Sequence, residues 1–413
     1  MRWTLALLLA VLPTAASAGE RVQYALIVSN NRSNDPKVPP LRFADDDGAR
    51  FYELLEPQSK DAALLTVLDG DTQARHPGLA SKTRPPTERE LFDAFERLDR
   101  QMAADRDAGR DPVLYFVFTG HGQRGEAGEG SISLLGKNFT RTQLYQQVLA
   151  RTHARFVHLI VDACDSYFFV NSRGALPRAE SYAGAVKRFL DERTLEQYPN
   201  VGVVLSTASA QESHEWSGIF GGVFSHQVLS ALSGAADVNA DGRVEYSELR
   251  AFIAAANARV EDPRARPEVF ARPPAQDHTY PLVDLTRPSR LGFVTLPAGM
   301  GGHFVVEDER GVRLVELHKE KDRATVLALP TGRELFLRST TREAAVRLEH
   351  GTKLIDGATL LWRERTVASR GSLEETFRDD LFSIPYGPRF YEGFVTSTGE
   401  RPVAPAAAPR LEP

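Results

Sequence analysis

Phe156-Val157-His158-Leu159-Ile160-Val161-Asp162-Ala163-Cys164-Asp165-Ser166 is the stretch around which the rest of the chain is arranged. Phe156 to Val161 is an apolar run of strand length. A strand apolar on both faces belongs inside a parallel sheet that is covered on both sides. Just past its C-terminal end stands Cys164, the only cysteine among 413 residues. A second run of this kind, Val113 to Phe118, ends in Thr119-Gly120-His121-Gly122. Two buried strands thus each deliver one reactive side chain beyond a carboxyl end, the edge at which open parallel sheets hold their ligands.

The flanking sequence extends the same pattern. Gln23 to Val28 predicts a first strand, ended by Ser29-Asn30-Asn31. A helix follows on Leu41, Ala44, Ala49, Phe51, Leu54 and Leu55, with Asp45-Asp46-Asp47 at its start, where negative charge suits the helix dipole. Ala63 to Leu68 predicts a short second strand. Thr87-Glu88-Arg89-Glu90 is a capping box, and Leu91, Phe95, Leu98 and Met102 then repeat on one helical face. Thr140-Arg141-Thr142-Gln143 is a second capping box. Val201 to Leu205 is the next strand, and Phe224–Leu232 and Tyr246–Ala256 read as helices. Strands alternating with amphipathic helices give an α/β fold: a mostly parallel sheet with helices on both faces.

Beyond about Val260 the texture changes. Pro263, Pro267, Pro273 and Pro274 suggest a linker over 263–290. Short alternating runs at 292–295, 303–306, 312–317 and 334–338 predict a smaller all-β domain, a sandwich in outline, over 291–398. The Pro/Ala-rich residues 399–413 read as a disordered tail.

At the other end, Arg2, the apolar Leu5–Leu12 and the small residues Ala16-Ser17-Ala18 form a secretory signal over 1–18, which leaves 19–262 as the α/β domain. No later stretch approaches the roughly 18 apolar residues of a membrane helix. The expectation is export, to a periplasm or the exterior, with no integral membrane segment after cleavage. A net charge of −5 offers no basic stripe for nucleic acid. In an exported chain a lone cysteine cannot form an internal disulfide, so it is either buried and inert or kept for reactivity. Its place past a buried strand favours reactivity.

A thiol nucleophile needs a base and donors for an oxyanion. His121 can be the base, and the backbone N–H groups of Gly122 and Cys164 the donors. In these residues the chain resembles the caspase-like cysteine peptidases, more closely the metacaspase and bacterial caspase-like branch. The resemblance rests on Ala25-Leu26-Ile27-Val28-Ser29-Asn30, Leu41-Arg42-Phe43-Ala44-Asp45-Asp46-Asp47, Tyr115 to Gly122, and Val161-Asp162-Ala163-Cys164. It covers about Val22 to Arg259. His121 precedes Cys164 by 43 positions (164 − 121), against roughly 50 in that family. The resemblance implies a caspase-like fold and peptide-bond hydrolysis of a protein or peptide substrate through an acyl-enzyme. In it His121 is general base and acid and Cys164 is the nucleophile. It further implies that Asp162, two residues before the cysteine, lines a pocket for a basic residue, so that cleavage follows Arg or Lys. Trp216 falls where that family builds part of its specificity wall. His158, inside a strand, is expected to pack or face solvent, and His214 and His226 read chiefly as surface. Asp165 is a departure: a carboxylate beside the thiol disfavours the thiolate unless it points away. The alternative is therefore a catalytically inactive caspase-like binding or scaffold protein whose β domain binds an unknown partner.

A second motif lies inside the α/β domain. Asp237 to Glu248 fits the twelve-residue EF-hand calcium loop. Asp237, Asn239, Asp241, Glu245 and Glu248 stand at positions 1, 3, 5, 9 and 12, Gly242 at 6, and Arg243 offers its carbonyl at 7. The expected ligands are Asp237, Asn239, Asp241, Arg243 and Glu248. No partner loop is visible, which implies weak calcium affinity and a structural or regulatory role.

Overall fold

The computed structural model describes residues 19–124, 129–163, 195–206, 215–261, 266–351, 354–365 and 380–404. The signal segment, Cys164 and His214 lie outside them. The strands up to residue 284 are β1 (Arg21–Asn30), β2 (Asp61–Leu65), β3 (Thr83–Arg84), β4 (Asp111–Gly120), β5 (Gly122–Arg124), β6 (Gly130–Leu134) and β7 (Lys137–Thr140). They continue with β8 (Phe156–Asp162), β9 (Val201–Ser206), β10 (Glu215–Trp216), β11 (Gly221–Gly222), β12 (Arg243–Val244), β13 (Val269–Arg272) and β14 (Val283–Asp284). Seven of them form the central sheet, in the order β3-β2-β1-β4-β8-β9-β13. Its pairings are parallel except for β13, which closes the edge antiparallel to β9.

Alternation along the strands divides the apolar side chains between two faces. Ala25, Ile27, Val113, Tyr115, Val117, Ile160 and Val204 join one core. With them pack helices α1 (Ala44–Leu55), α4 (Val223–Ser230) and α5 (Tyr246–Ala256). Here α2 (Gly70–Arg75) is a single short turn, and α3 (Glu88–Asp107) lies on the other face. Tyr24, Leu26, Val28, Leu114, Phe116, Phe118, Val157, Leu159 and Val161 form that second core with α3 and the π-helical Leu144–Leu149. Both predicted capping boxes start helices: Thr87 accepts from the Glu90 N–H, and Thr140 and Gln143 cap each other reciprocally.

The C-terminal region carries a three-stranded sheet, β18-β15-β21, and a five-stranded one, β17-β16-β19-β20-β22. Their strands are β15 (Gly292–Leu296), β16 (Gly302–Asp308), β17 (Arg313–Lys319), β18 (Thr325–Leu329), β19 (Glu334–Ser339), β20 (Arg342–Arg347), β21 (Ile355–Asp356) and β22 (Arg363–Glu364). The region is not all-β: it closes on helix α6 (Pro388–Thr398), started by a proline in its first turn.

Nor is 263–290 a free tether. It supplies β13 to the central sheet and β14 to β12, and it buries Leu282 and Val283 completely. Proline-rich composition hides a strand this short, and proline is tolerated at the ends of an edge strand. The two regions share one core, in which Phe224, Val228 and Leu232 lie with Val315, Leu317, Leu327 and Leu329.

A chain ended at residue 262 would strip β13 from β9 and uncover the apolar face beneath β15 to β18. It is expected to aggregate or to lose its cooperative unfolding transition in calorimetry. A sharp transition in that chain would show that the sheet closes without β13.

Candidate functional site

Strands β4 and β8 pair in parallel with Thr119 opposite Asp162. His121 therefore lies two residues past one member of this pair. Gly120 makes the exit possible. Its φ is +152°, and a side chain there would meet the Asn30 carbonyl at 2.7 Å and the Phe118 ring at 2.9 Å. The His121 carbonyl accepts from the Ser133 N–H at 2.9 Å, and Gly122 then faces Ile132 in the β5–β6 ladder. In an antiparallel pair bonded in this way the Gly122 N–H points away from β6.

The His121 ring is half-buried. Burial lowers its pKa, while hydrogen bonding with the backbone at Asn31 and Pro39 opposes the shift. Its Nε2 is buried with no hydrogen-bond partner among the described residues.

Asp162 ends β8, and its Oδ2 accepts from the Ser225 hydroxyl at 2.6 Å. Beside it stands Asp47, from α1. A methyl group on Gly222 would lie 2.9 Å from Asp162 Oδ2 and 3.1 Å from Asp47 Oδ2, so the glycine is what lets both carboxylates approach. The Gly222 N–H donates to Asp47 Oδ2 at 2.8 Å, and Arg50 pairs with Asp47 Oδ1. Burial pushes the Asp47 carboxyl well above its usual range; Arg50 opposes this and the charge of Asp162 adds to it. A third carboxylate, Glu215 on β10, accepts the backbone N–H groups of Arg42 and Phe43 at the start of α1. Its pKa too is raised by burial, with Asp162 adding to the shift.

Trp216 is buried in the β10–β11 hairpin, with its ring against the Gly218 backbone and the Arg313 guanidinium 5.4 Å from its centroid. His226, read from sequence as surface, is fully buried on α4. All eight residues of its helix are buried although half of them are polar, so no amphipathic stripe marked it. His158 resolves to packing: it is fully buried, with its Nδ1 2.6 Å from the Tyr246 hydroxyl.

Sequence reasoning missed Asp47, Glu215, Gly222 and Ser225 as neighbours of Asp162. Asp47 stood out as one of three helix-starting acids and as the end of one matching stretch, not as a partner of Asp162. Ser225 lies 63 positions from its partner and carries no local signal.

The 237–248 loop has the hydrogen bonding of a preformed turn. Gly242 N–H donates to Asp237 Oδ2 at 2.9 Å, Asp241 N–H to Asn239 Oδ1 at 3.1 Å and Arg243 N–H to Asp241 Oδ1 at 2.8 Å. Gly242 adopts φ +77° and Ala240 φ +58°. Glu248 caps α5, with Oε1 accepting from Val238 N–H and Oε2 from Glu245 N–H, each at 2.8 Å. Each of those oxygens keeps a lone pair, and Asp237 Oδ1 is buried without a partner among the described residues. Burial raises the Asp237 carboxyl to about 6 and the Glu245 carboxyl to about 7. Among the described residues no three His, Cys, Asp or Glu side chains gather into a ready metal cage. A hard cation here would draw on Asp237, Asn239, Asp241 and Glu248 together with the Arg243 carbonyl, a mixed oxygen set that suits calcium. Instead of a second such loop, β14 pairs with β12, and Arg323 donates to the carbonyls of Asp237 and Val238. Among the described residues no helix is long and apolar enough to cross a membrane.

Neither a family model nor a curated protein sequence matches the chain. Among solved structures it is similar to caspase-1 from Spodoptera frugiperda, at 10% identity and TM-score 0.36, over 63% of this chain and 91% of that one. It is similar to a protein from Geobacter sulfurreducens at 15% identity and TM-score 0.33, over 61% and 93%. A pro-form of the Spodoptera caspase overlaps 53% of this chain and 75% of its own, at 9% identity and TM-score 0.29. Overlaps this loose carry no weight for activity.

Gly222→Ala would push a methyl group between two carboxylates. It is expected to destabilise the fold by about 1–3 kcal/mol, read as a lower denaturant midpoint. An unchanged midpoint would mean that Asp47 and Asp162 separate freely.

Proposed function

We propose that the chain is an exported caspase-like cysteine endopeptidase that cleaves peptide bonds after Arg or Lys. The observation that carries the reading is the register of β4 and β8. Thr119 and Asp162 are paired, and His121 and Cys164 each follow by two residues. In this reading the His121 imidazole takes the thiol proton as Cys164 Sγ attacks the scissile carbonyl carbon. The N–H groups of Gly122 and Cys164 receive the oxyanion. The amine leaves with the proton from His121, and water then hydrolyses the thioester with the same histidine as base. An Nε2 that is buried without a partner among the described residues, on a histidine lowered by burial, supports a neutral imidazole ready to accept that proton. The clustering of Asp162, Asp47 and Glu215 supports a basic residue at the cleavage point, since a cation bound beside the cluster lowers the mutual repulsion that raises the Asp47 and Glu215 carboxyls.

The reading includes a calcium ion in the 237–248 loop, which would offset the mutual repulsion of Asp237, Asp241 and Glu248 and fix α5 against the sheet.

Reporters ending in Arg, Lys and Asp test the reaction. Cleavage is expected after Arg and Lys, and none in Cys164→Ala. Asp162→Asn is expected to lower kcat/KM on the Arg reporter by about 100-fold. Cleavage after Asp alone, or in the alanine variant, would sink the assignment. The pH profile is a separate check. Only neutral imidazole takes the proton, and burial lowers its pKa from an ordinary 6.5. The acid limb of kcat/KM is therefore expected to bend below pH 6.5, and a bend above 7 would point to another base. For the loop, about 10 mM calcium is expected to stabilise the protein by about 1–3 kcal/mol. That is a rise of a few degrees in Tm, lost in Glu248→Gln; a flat Tm would remove calcium from the reading.

A further inference from the structure

Strand β17 reaches the acidic site by two routes. Glu316 is 1% exposed and accepts three donors: His226 Nε2 at 3.0 Å, His303 Nε2 at 2.8 Å and Arg313 Nη1 at 2.9 Å. Burial alone would raise its carboxyl, but Arg313, His226 and His303 hold it well below the usual range. An ionised Glu316 accepts only, so the proton on the facing His226 nitrogen is fixed at Nε2. The Glu316 N–H also donates to Ser230 Oγ at 3.0 Å, and that hydroxyl donates to the His226 carbonyl at 2.8 Å. α4 is thereby held at His226, the residue after Ser225, whose hydroxyl holds Asp162. The second route runs through Arg313. Its carbonyl accepts from Arg50 Nη1 at 3.3 Å, Arg50 pairs with Asp47, and its guanidinium covers Trp216.

We propose that Glu316 and Arg313 are positioning residues for the acidic recognition site, so that the C-terminal β region sets selectivity for a cationic substrate side chain instead of serving as an appended docking module. The inference rests on the peptidase reading. Glu316 acts through His226 and Ser225 on Asp162, and Arg313 through Arg50 on Asp47 and through Trp216 on the β10–β11 hairpin. A loosened α4 would let Asp162 move away from Asp47 and Gly222, and so change the acidic surface that a cationic side chain meets.

The test uses the full chain and two peptide reporters that differ only in Arg against citrulline, its uncharged isostere, at the cleavage point. The ratio of their kcat/KM values does not depend on how much of the protein is folded, so a merely structural role cannot move it. Glu316→Gln is expected to lower the Arg-to-citrulline ratio about tenfold, chiefly through KM on the Arg reporter. Iodoacetamide should alkylate Cys164 at the wild-type rate. Should that variant not fold, Arg313→Lys keeps the charge opposite Glu316 but loses the flat cover over Trp216; it is expected to lower the ratio about threefold. An unchanged ratio in the folded variant overturns the inference, whatever happens to Tm. A wild-type chain that cleaves neither reporter overturns the peptidase reading, and the inference with it.

Discussion

Asp47 and Asp162 approach each other across a glycine, and the surrounding structure answers to what that approach costs. Two carboxylates drawn out of water repel one another and lose hydration, and neither loss is recovered unless donors are fixed around them. The donors are drawn from distant parts of the chain. Arg50 comes from the same helix as Asp47, the Gly222 N–H from the β10–β11 hairpin and the Ser225 hydroxyl from the next helix. Gly222 can have no side chain because any atom there would stand between the two acids. The site is thus assembled from four segments, and the parallel sheet is what brings their ends to one edge.

The same economy explains the C-terminal region. A buried Glu316 with three donors is costly to leave half-satisfied, so the β16–β17 hairpin and α4 must be seated together or not at all. Arg333 repeats the pattern, joining Asp308 of β16 to Glu53 of α1 across the boundary between the two regions. Polar clamps of this kind add orientation to a shared apolar core, which alone would tolerate sliding.

What could be read from the sequence follows from how local each signal is. Strands β1, β4, β8 and β9 were legible because a strand buried on both faces leaves an unbroken apolar run. The starts of α3 and of the helix at 141 were legible because a capping box is written within four residues. The turn over 237–248 was legible because its acids and its glycine are set within twelve residues. β13 was not: four residues, Val269 to Arg272, between prolines carry too little periodicity to announce an edge strand. His226 was misread because its partner lies 90 positions away, on a strand of another region. The candidate site divides the same way. His121 and Asp162 were placed by strand ends, whereas Asp47, Gly222 and Ser225 became neighbours only through the fold.

Arg21, the first residue of β1, donates to the Tyr115 hydroxyl and to the Pro281 carbonyl, 260 positions on, while Tyr115 in turn donates to the Leu282 carbonyl. The opening strand of the sheet is therefore latched by a segment that exists only once two thirds of the chain has been made. Closing so long a loop is entropically slow, and contacts at such separation form late in folding. Until residues 269–285 arrive, the β9 edge stays unpaired and the Arg21 end of the sheet unlatched. The kinetic bottleneck for this chain then lies near the start of its last third, far in sequence from β1, β4 and β8.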